Sequence, residues 1–324
     1  MRKVFLACLF LALLCVLSSC SPATPTANTA TENAILLGYA QLGSESAWRI
    51  GNSQSIKDAA QRAGIQLMFE NAEQSQEKQI KAIRSFIAYQ VDVIAFSPIV
   101  EDGWDNVLRE AKEAGIPVLL VDRLIKTDDE SLYVGFIGSD FFEEGRSAGR
   151  FLEKKTADMD HVRIVEIAGT EDSSPMRQRG LGFRAVVGDN PKFEILESIS
   201  GDFLLSKGKE CMEYLLQKYS DIDVLYSHND SMTLGAIEAI EAAGLTPGKD
   251  IIIITVDGEQ KAIDFLKEGK INCVVECTPL LGDVVMDLTK KLAAGETIDR
   301  VTYSTETVFT EFDTDLDSLP ERGY

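Results

Sequence analysis

Val118-Leu119-Leu120-Val121-Asp122-Arg123 is the stretch whose reading decides the fold. Four apolar residues in a row read as a strand buried on both faces, as in a parallel sheet covered by helices. The run then stops on an acid and a base side by side. A charged pair at the carboxyl end of a buried parallel strand sits where open α/β sheets receive their ligands. Taken alone, Asp122 and Arg123 also fit a plainer reading, a strand reaching the surface. What favours a site is that the same event recurs along the chain.

Working outward, strands are expected at 35–40, 65–69, 93–97 and 133–137, with helices at 45–63, 75–89 and 104–114 between them. Gly64 and Gly115 supply the helix stops. A similar second half follows. Strands are expected at 162–168, 193–200, 224–227, 251–256 and 271–275, helices at 141–155, 178–187, 204–219, 231–243, 262–267 and 280–293, and a last extended piece at 301–309. Strands alternating with helices in this rhythm mean βαβ units and parallel sheets. Their number exceeds one compact sheet and predicts an α/β protein of two doubly wound lobes, with the seam near Gly138-Ser139. The polar residues fall at or just past strand ends: Trp48 and Arg49 after the first, Asp122 and Arg123 after the fourth, then Arg179, Asn229 and Asp257 in the second half.

Those residue types suit a sugar. Carboxylates accept, guanidinium donates in a planar fork, an amide does both, and an indole adds a flat apolar wall with one donor. Both signs in a dry cleft preorganise each other while their spare groups meet a ligand. Plainer readings stand beside these. Trp48 also fits a helix-face core position, Asn229 or Asp230 a helix N-cap, and Arg179 a solvated helix residue beside Arg177. Trp104 reads as packing, and the acidic segments at 128–130 and from Glu311 read as solvated loops.

The address is written at the other end. Arg2 and Lys3 precede an apolar run from Val4 to Leu17, followed by Leu17-Ser18-Ser19-Cys20. That is a signal peptide, too short for a comfortable membrane helix. Cys20 after Leu-Ser-Ser resembles a bacterial lipobox, with Cys20 as the lipid acceptor that holds the chain to a membrane surface. The segment 21–33 reads as a disordered tether. Formal net charge is −20 over 324 residues, with no basic stripe, which argues against nucleic acid. Of six cysteines, Cys211, Cys273 and Cys277 lie beyond the leader and tether. Their odd number and the absence of CxxC give neither a disulfide framework nor a zinc signature. No metal or cofactor is expected.

The chain resembles the substrate-binding proteins of bacterial ABC sugar importers, of the ribose and galactose type. The matching elements are Val121-Asp122-Arg123, Arg179-Gly180-Leu181-Gly182-Phe183, His228-Asn229-Asp230-Ser231-Met232 and Val256-Asp257-Gly258. Within that group it is most similar to galactofuranose-binding proteins, through Gly43-Ser44-Glu45-Ser46, Trp48-Arg49, Lys81-Ala82-Ile83-Arg84-Ser85-Phe86, Ser206-Lys207-Gly208-Lys209-Glu210 and the terminal Gly323-Tyr324. The resemblance implies the type I periplasmic binding protein fold, two lobes joined by a hinge. It implies Glu45, Ser46, Trp48, Arg49, Asp122 and Arg123 as ligand contacts of the first lobe, and Arg179, Asn229 and Asp257 as those of the second. Two positions depart from the pattern: Ala47, where relatives tend to carry Gly, and Cys277, where many carry Gln. Glu276 lies beside the latter and stays outside the set.

The expected organisation is therefore a leader at 1–19, a tether at 20–33, one lobe from 34–138 with 279–301, and the other from 139–278 with 302–324. The expected role is extracytoplasmic and membrane-anchored: a monomer that closes on a monosaccharide and presents the closed state to a permease. A sensor that delivers it to a signalling receptor is the alternative. An enzyme finds little support. Gly244-x3-Gly248-Lys249-Asp250 has the wrong spacing for a phosphate loop, and His161 and His228 have no evident nucleophile partner. A DNA-reading regulator would need a helix-turn-helix where the leader stands.

Overall fold

The computed structural model describes residues 34–324. The expected leader, Cys20 and the tether lie outside the described residues.

Strands β1 (Leu36–Gln41), β2 (Gln66–Asn71), β3 (Val93–Phe96), β4 (Val118–Val121) and β5 (Gly135–Gly138) belong to the first half. β6 (Val162–Ala168), β7 (Phe193–Ser200), β8 (Val224–Ser227), β9 (Ile252–Asp257) and β10 (Cys273–Glu276) belong to the second, and β11 (Val301–Tyr303) and β12 (Val308–Thr310) come last. They form two six-stranded sheets, in the orders β11-β5-β4-β3-β1-β2 and β12-β10-β9-β8-β6-β7. All pairings are parallel except that of β12, which runs antiparallel along β10. Each sheet reverses its order beside its first strand, the switch point where such sheets open a crevice.

Helices α1 (Ala47–Ala63), α2 (Gln76–Tyr89), α3 (Asp105–Glu113), α4 (Phe141–Lys155), α5 (Ser174–Val187), α6 (Leu205–Lys218), α7 (Asp230–Ala242), α8 (Gln260–Lys267) and α9 (Gly282–Ala293) cover the sheets. The two-residue period of a strand divides each core in two. In β4, Leu119 and Val121 pack with Ile56 of α1 and Val285 of α9, while Val118 and Leu120 pack with Phe86 of α2 and Leu108 of α3. The second sheet is split in the same way. Apolar runs bury both faces, which is why these strands lack an alternating pattern.

Among the described residues the chain crosses between sheets three times, at Ser139-Asp140, between β10 and α9, and between β11 and β12. The extended piece expected at 301–309 is thus two short strands in different sheets. β11 keeps 302 and 303 with the first sheet, so the crossing falls after Tyr303 rather than after 301. The helix expected from 178 begins at Ser174, one turn earlier, because Pro175 sits in the first turn, where its missing N–H costs nothing.

α4 and α5 pack unusually close. A Cβ on Gly145 would overlap the Arg179 carbonyl, and one on Gly182 would overlap that of Phe142. This contact fixes Arg179 relative to α4.

Candidate functional site

In the first lobe, β1 hands the chain to α1 through a short loop. Ser46 caps the helix, its Oγ accepting from the Arg49 amide at 3.1 Å. Arg49 then reaches three acceptors: Asp122 Oδ2 at 2.6 Å, Glu45 Oε1 at 3.1 Å and Gln41 Oε1 at 3.3 Å. Asp122 leaves β4 with φ +65°, a left-handed conformation that a non-glycine residue adopts at a cost. Arg123 donates from Nη1 to the Ile99 carbonyl at 3.0 Å, but its buried Nε, 3.9 Å from Asp122 Oδ2, has no hydrogen-bond partner among the described residues.

The second lobe mirrors this. Arg179 of α5 donates from Nε to Glu144 Oε2 at 2.7 Å and from Nη1 to the His228 carbonyl at 2.6 Å, with Nη2 3.8 Å from Asp257 Oδ1. Asp257 also has positive φ, +128°. The strand-end aspartates of both lobes are therefore held in strained backbone, as functional positions often are. Asn229 caps α7, its Oδ1 accepting from the Met232 amide at 2.9 Å, so the N-cap reading of this residue is real as well. Asp230 Oδ2 accepts from the amides of Gly258 and Glu259, both at 2.7 Å, and pins the loop after β9.

These side chains line one cavity between the lobes. All nine residues expected from the sequence border it: Glu45, Ser46, Trp48, Arg49, Asp122 and Arg123 from one side, Arg179, Asn229 and Asp257 from the other. Three guanidinium groups meet three carboxylates, so the formal charges of the lining cancel. Burial pulls the Arg123 guanidinium down to about 10, helped by Arg49 beside it. Burial works against the Arg49 cation too, but Asp122 and then Glu45 outweigh it and hold its pKa above the usual value. Burial raises the Asp257 carboxyl well above its ordinary range, against the pull of Arg179.

One expectation needs correcting. The Trp48 indole N–H does not face the cavity as a free donor; it donates to the Cys277 carbonyl at 2.6 Å, leaving only the ring for a ligand. Three lining residues were not anticipated: Pro175, Phe203 and Cys277. Phe203 adopts φ +62°, its ring fills the space that a Cβ on Gly169 would need, and Arg123 sits over it at 5.2 Å. It follows β7, but the strand-end rule picks out polar residues and passes over a phenylalanine. The expected helix start at 178 leaves Pro175 out, and Cys277 stands out in the sequence only as a departure from the pattern.

The lobes are shut. Trp48 N donates to Glu259 Oε1 at 3.1 Å, Leu124 N to Ser174 Oγ at 2.9 Å and Glu101 N to the Asp172 carbonyl at 2.8 Å. Arg177 of α5 grips Glu101, in the loop after β3, with two bonds of 2.8 and 2.6 Å.

Residues 38–297 match a family described as a periplasmic binding protein domain. The galactofuranose-binding protein YtfQ of Escherichia coli (strain K12) is 39% identical over 279 residues, 85% of this chain and 87% of its own. A Mycobacterium smegmatis protein in complex with β-D-fucofuranose is 48% identical, with a TM-score of 0.86 over 88% of this chain and 93% of its own. The binding component of an arabinose ABC transporter from Shewanella sp. ANA-3, bound to α- and β-L-arabinofuranose, is 43% identical, with a TM-score of 0.83 over 87% and 93%.

Proposed function

The chain belongs to the periplasmic binding protein family, and on that premise we propose that it captures a neutral monosaccharide in furanose form for an ABC importer. The observation that carries this reading is the cavity itself: buried, fed by both sheets, and lined by three guanidinium groups whose charge three carboxylates cancel. A charged ligand would upset that balance, whereas a polyol adds hydroxyls to groups already paired. Arg123 Nε, buried without a hydrogen-bond partner among the described residues, supplies a donor that a sugar oxygen would satisfy. The relatives named above carry furanose sugars or galactofuranose in their descriptions, which supports the ring form.

In this reading Glu45, Ser46, Arg49, Asp122 and Arg123 hold the sugar from the first lobe, Trp48 and Phe203 wall it, and Arg179, Asn229 and Asp257 hold it from the second. Ligand that touches both sets stabilises the closed form, because only closure makes both sets of contacts. The chain binds rather than converts its sugar: His161 lies on the surface against Glu194, and His228 is buried against Glu166, so neither imidazole borders the cavity. The closed lobes dock on a membrane permease as a monomer, and lipid on Cys20 keeps the chain near it. The residues Leu17-Ser18-Ser19-Cys20 support that anchor.

A thermal-shift screen of methyl furanosides against the matching methyl pyranosides tests this. A furanoside at about 100 times its dissociation constant adds roughly 2.7 kcal/mol of stability. Shifts with the pyranosides alone would overturn the ring form, and none with any sugar would overturn the function.

A further inference from the structure

Glu306 lies on the third crossing between the lobes, and its Oε1 gathers all three crossings. It accepts from Ser139 Oγ on the first, from the Thr278 amide at 3.1 Å on the second, and from Ser304 Oγ at 2.8 Å on its own. A short way off stands Glu144 of α4. Its Oε2 holds Arg179, while its Oε1 is buried with no hydrogen-bond partner among the described residues. Glu144, Glu306 and Cys277 each bring one polar atom within 4.8 Å of the others. Two carboxylates this close, with no cation between them other than the one Glu144 already holds, are not both ionised at low cost.

We propose that Glu306 is a carboxylic acid that donates its proton to Glu144 Oε1, making Glu144 a positioning residue through which the hinge holds Arg179 in the sugar site. This rests on the reading of Arg179 as a sugar contact. The proton meets the unsatisfied Glu144 oxygen and leaves one negative charge on the pair, the charge that Arg179 needs. Loss of that proton sets two carboxylates against each other, and Glu144, the one that holds Arg179, is pushed away from the hinge.

The surroundings agree. Burial and then the Glu144 charge push Glu306 up to about 8. Burial raises Glu144 as well, against Arg179 and against a hydrogen bond from the Cys277 thiol. The cavity beside the pair is lined by Asp140 and Glu143 at the start of α4, Glu276 of β10, and Ser304 and Thr307. No lysine or arginine lines it. Glu143 is engaged by Arg146 and Arg150, and Glu276 by Arg322. Cys277 faces the pair from the second crossing, its Sγ 3.2 Å from Ser139 Oγ, and is the rival donor. Burial keeps that thiol protonated far above its ordinary range.

Titrations of L-arabinose at pH 7 and pH 9 test the proposal with wild type, Glu306→Gln and Cys277→Ala. Gln keeps a donor for Glu144 and cannot ionise. Asp230 and Asp257 also titrate from raised values, so the comparison between proteins decides. The ratio of dissociation constants, pH 9 over pH 7, should be at least about fivefold larger in wild type and Cys277→Ala than in Glu306→Gln. Equal ratios in all three, or a ratio flattened by Cys277→Ala instead, would overturn it. Infrared difference spectra of the sugar-free proteins give a second reading. A protonated-carboxyl band present at pH 7, lost at pH 9 and absent from Glu306→Gln supports the proton even if L-arabinose fails to bind, an outcome that would count against the furanose reading alone. No such band in wild type refutes the proposal.

Discussion

At the scale of single residues, the site works by pairing charges that could not stand alone. Asp122→Ala leaves Arg49 with Glu45 as its one remaining carboxylate partner, deep in the cavity wall. Breaking a buried pair from one side costs about 3–5 kcal/mol, part in folding and part in binding. We expect the variant to fold with a lowered melting temperature and to lose the sugar-induced shift; an unaltered shift would remove Asp122 from the site. Burial also governs pH behaviour. Asp230 is pushed up to about 8, by burial and then by Glu259, and Glu306 behaves likewise. A folded-state value above the unfolded one means the native protein holds a proton that the unfolded chain releases. Stability from these groups is complete below the ordinary carboxyl range and drains away as pH rises through about 8. The sugar-free melting temperature should therefore be lower at pH 9 than at pH 6, and a rise would contradict this. Asp122, Arg123 and Asp257 were readable in advance because each stands at or just past a strand end, where polar side chains interrupt an apolar run, whereas Arg49 and Arg179 lie on the helices beyond. Phe203 was not, because nothing in composition marks a phenylalanine held at positive φ.

At the scale of elements, the apolar runs announced their strands, and Gly64 and Ser75 marked helix ends where the structure has them. What escaped was local. A proline hid the first turn of α5, and one stretch of extended sequence proved to be two strands divided between sheets. The reason is that pairing partners, not local preference, decide which sheet a three-residue strand joins. The α4–α5 contact is the element-scale feature with most bearing on binding. Gly145→Ala places a methyl group against the Arg179 carbonyl and must push the helices apart. Overpacking of this kind costs about 1–3 kcal/mol. We expect both the melting temperature and sugar affinity to fall, with Arg179 displaced in a crystal structure of the variant. Unchanged affinity would show that the spacing of these helices does not matter to the site.

At the scale of the whole molecule, counting strands gave two lobes, but nothing in the sequence singled out Glu101 and Arg177 as the grip at the cleft mouth. They lie in different lobes and meet across the cleft between them. Arg177 is half exposed, so the pair is worth no more than about 1 kcal/mol, a factor of roughly five. Arg177→Ala should speed sugar release by up to about that factor with little change in association, since related complexes differ mostly in off-rate. Stopped-flow kinetics decide between this and a slowed association, which would assign the pair to capture instead.

The indole of Trp48 bridges from α1 to the Cys277 carbonyl, while Trp104, the other tryptophan of the chain, is wholly buried among first-lobe side chains. The molecule thus carries its own optical gauge: emission from one ring should track opening and shutting, and the other should stay a constant background. Replacing Trp104 by phenylalanine would leave a single-fluorophore instrument, ready to time each cycle without any attached dye.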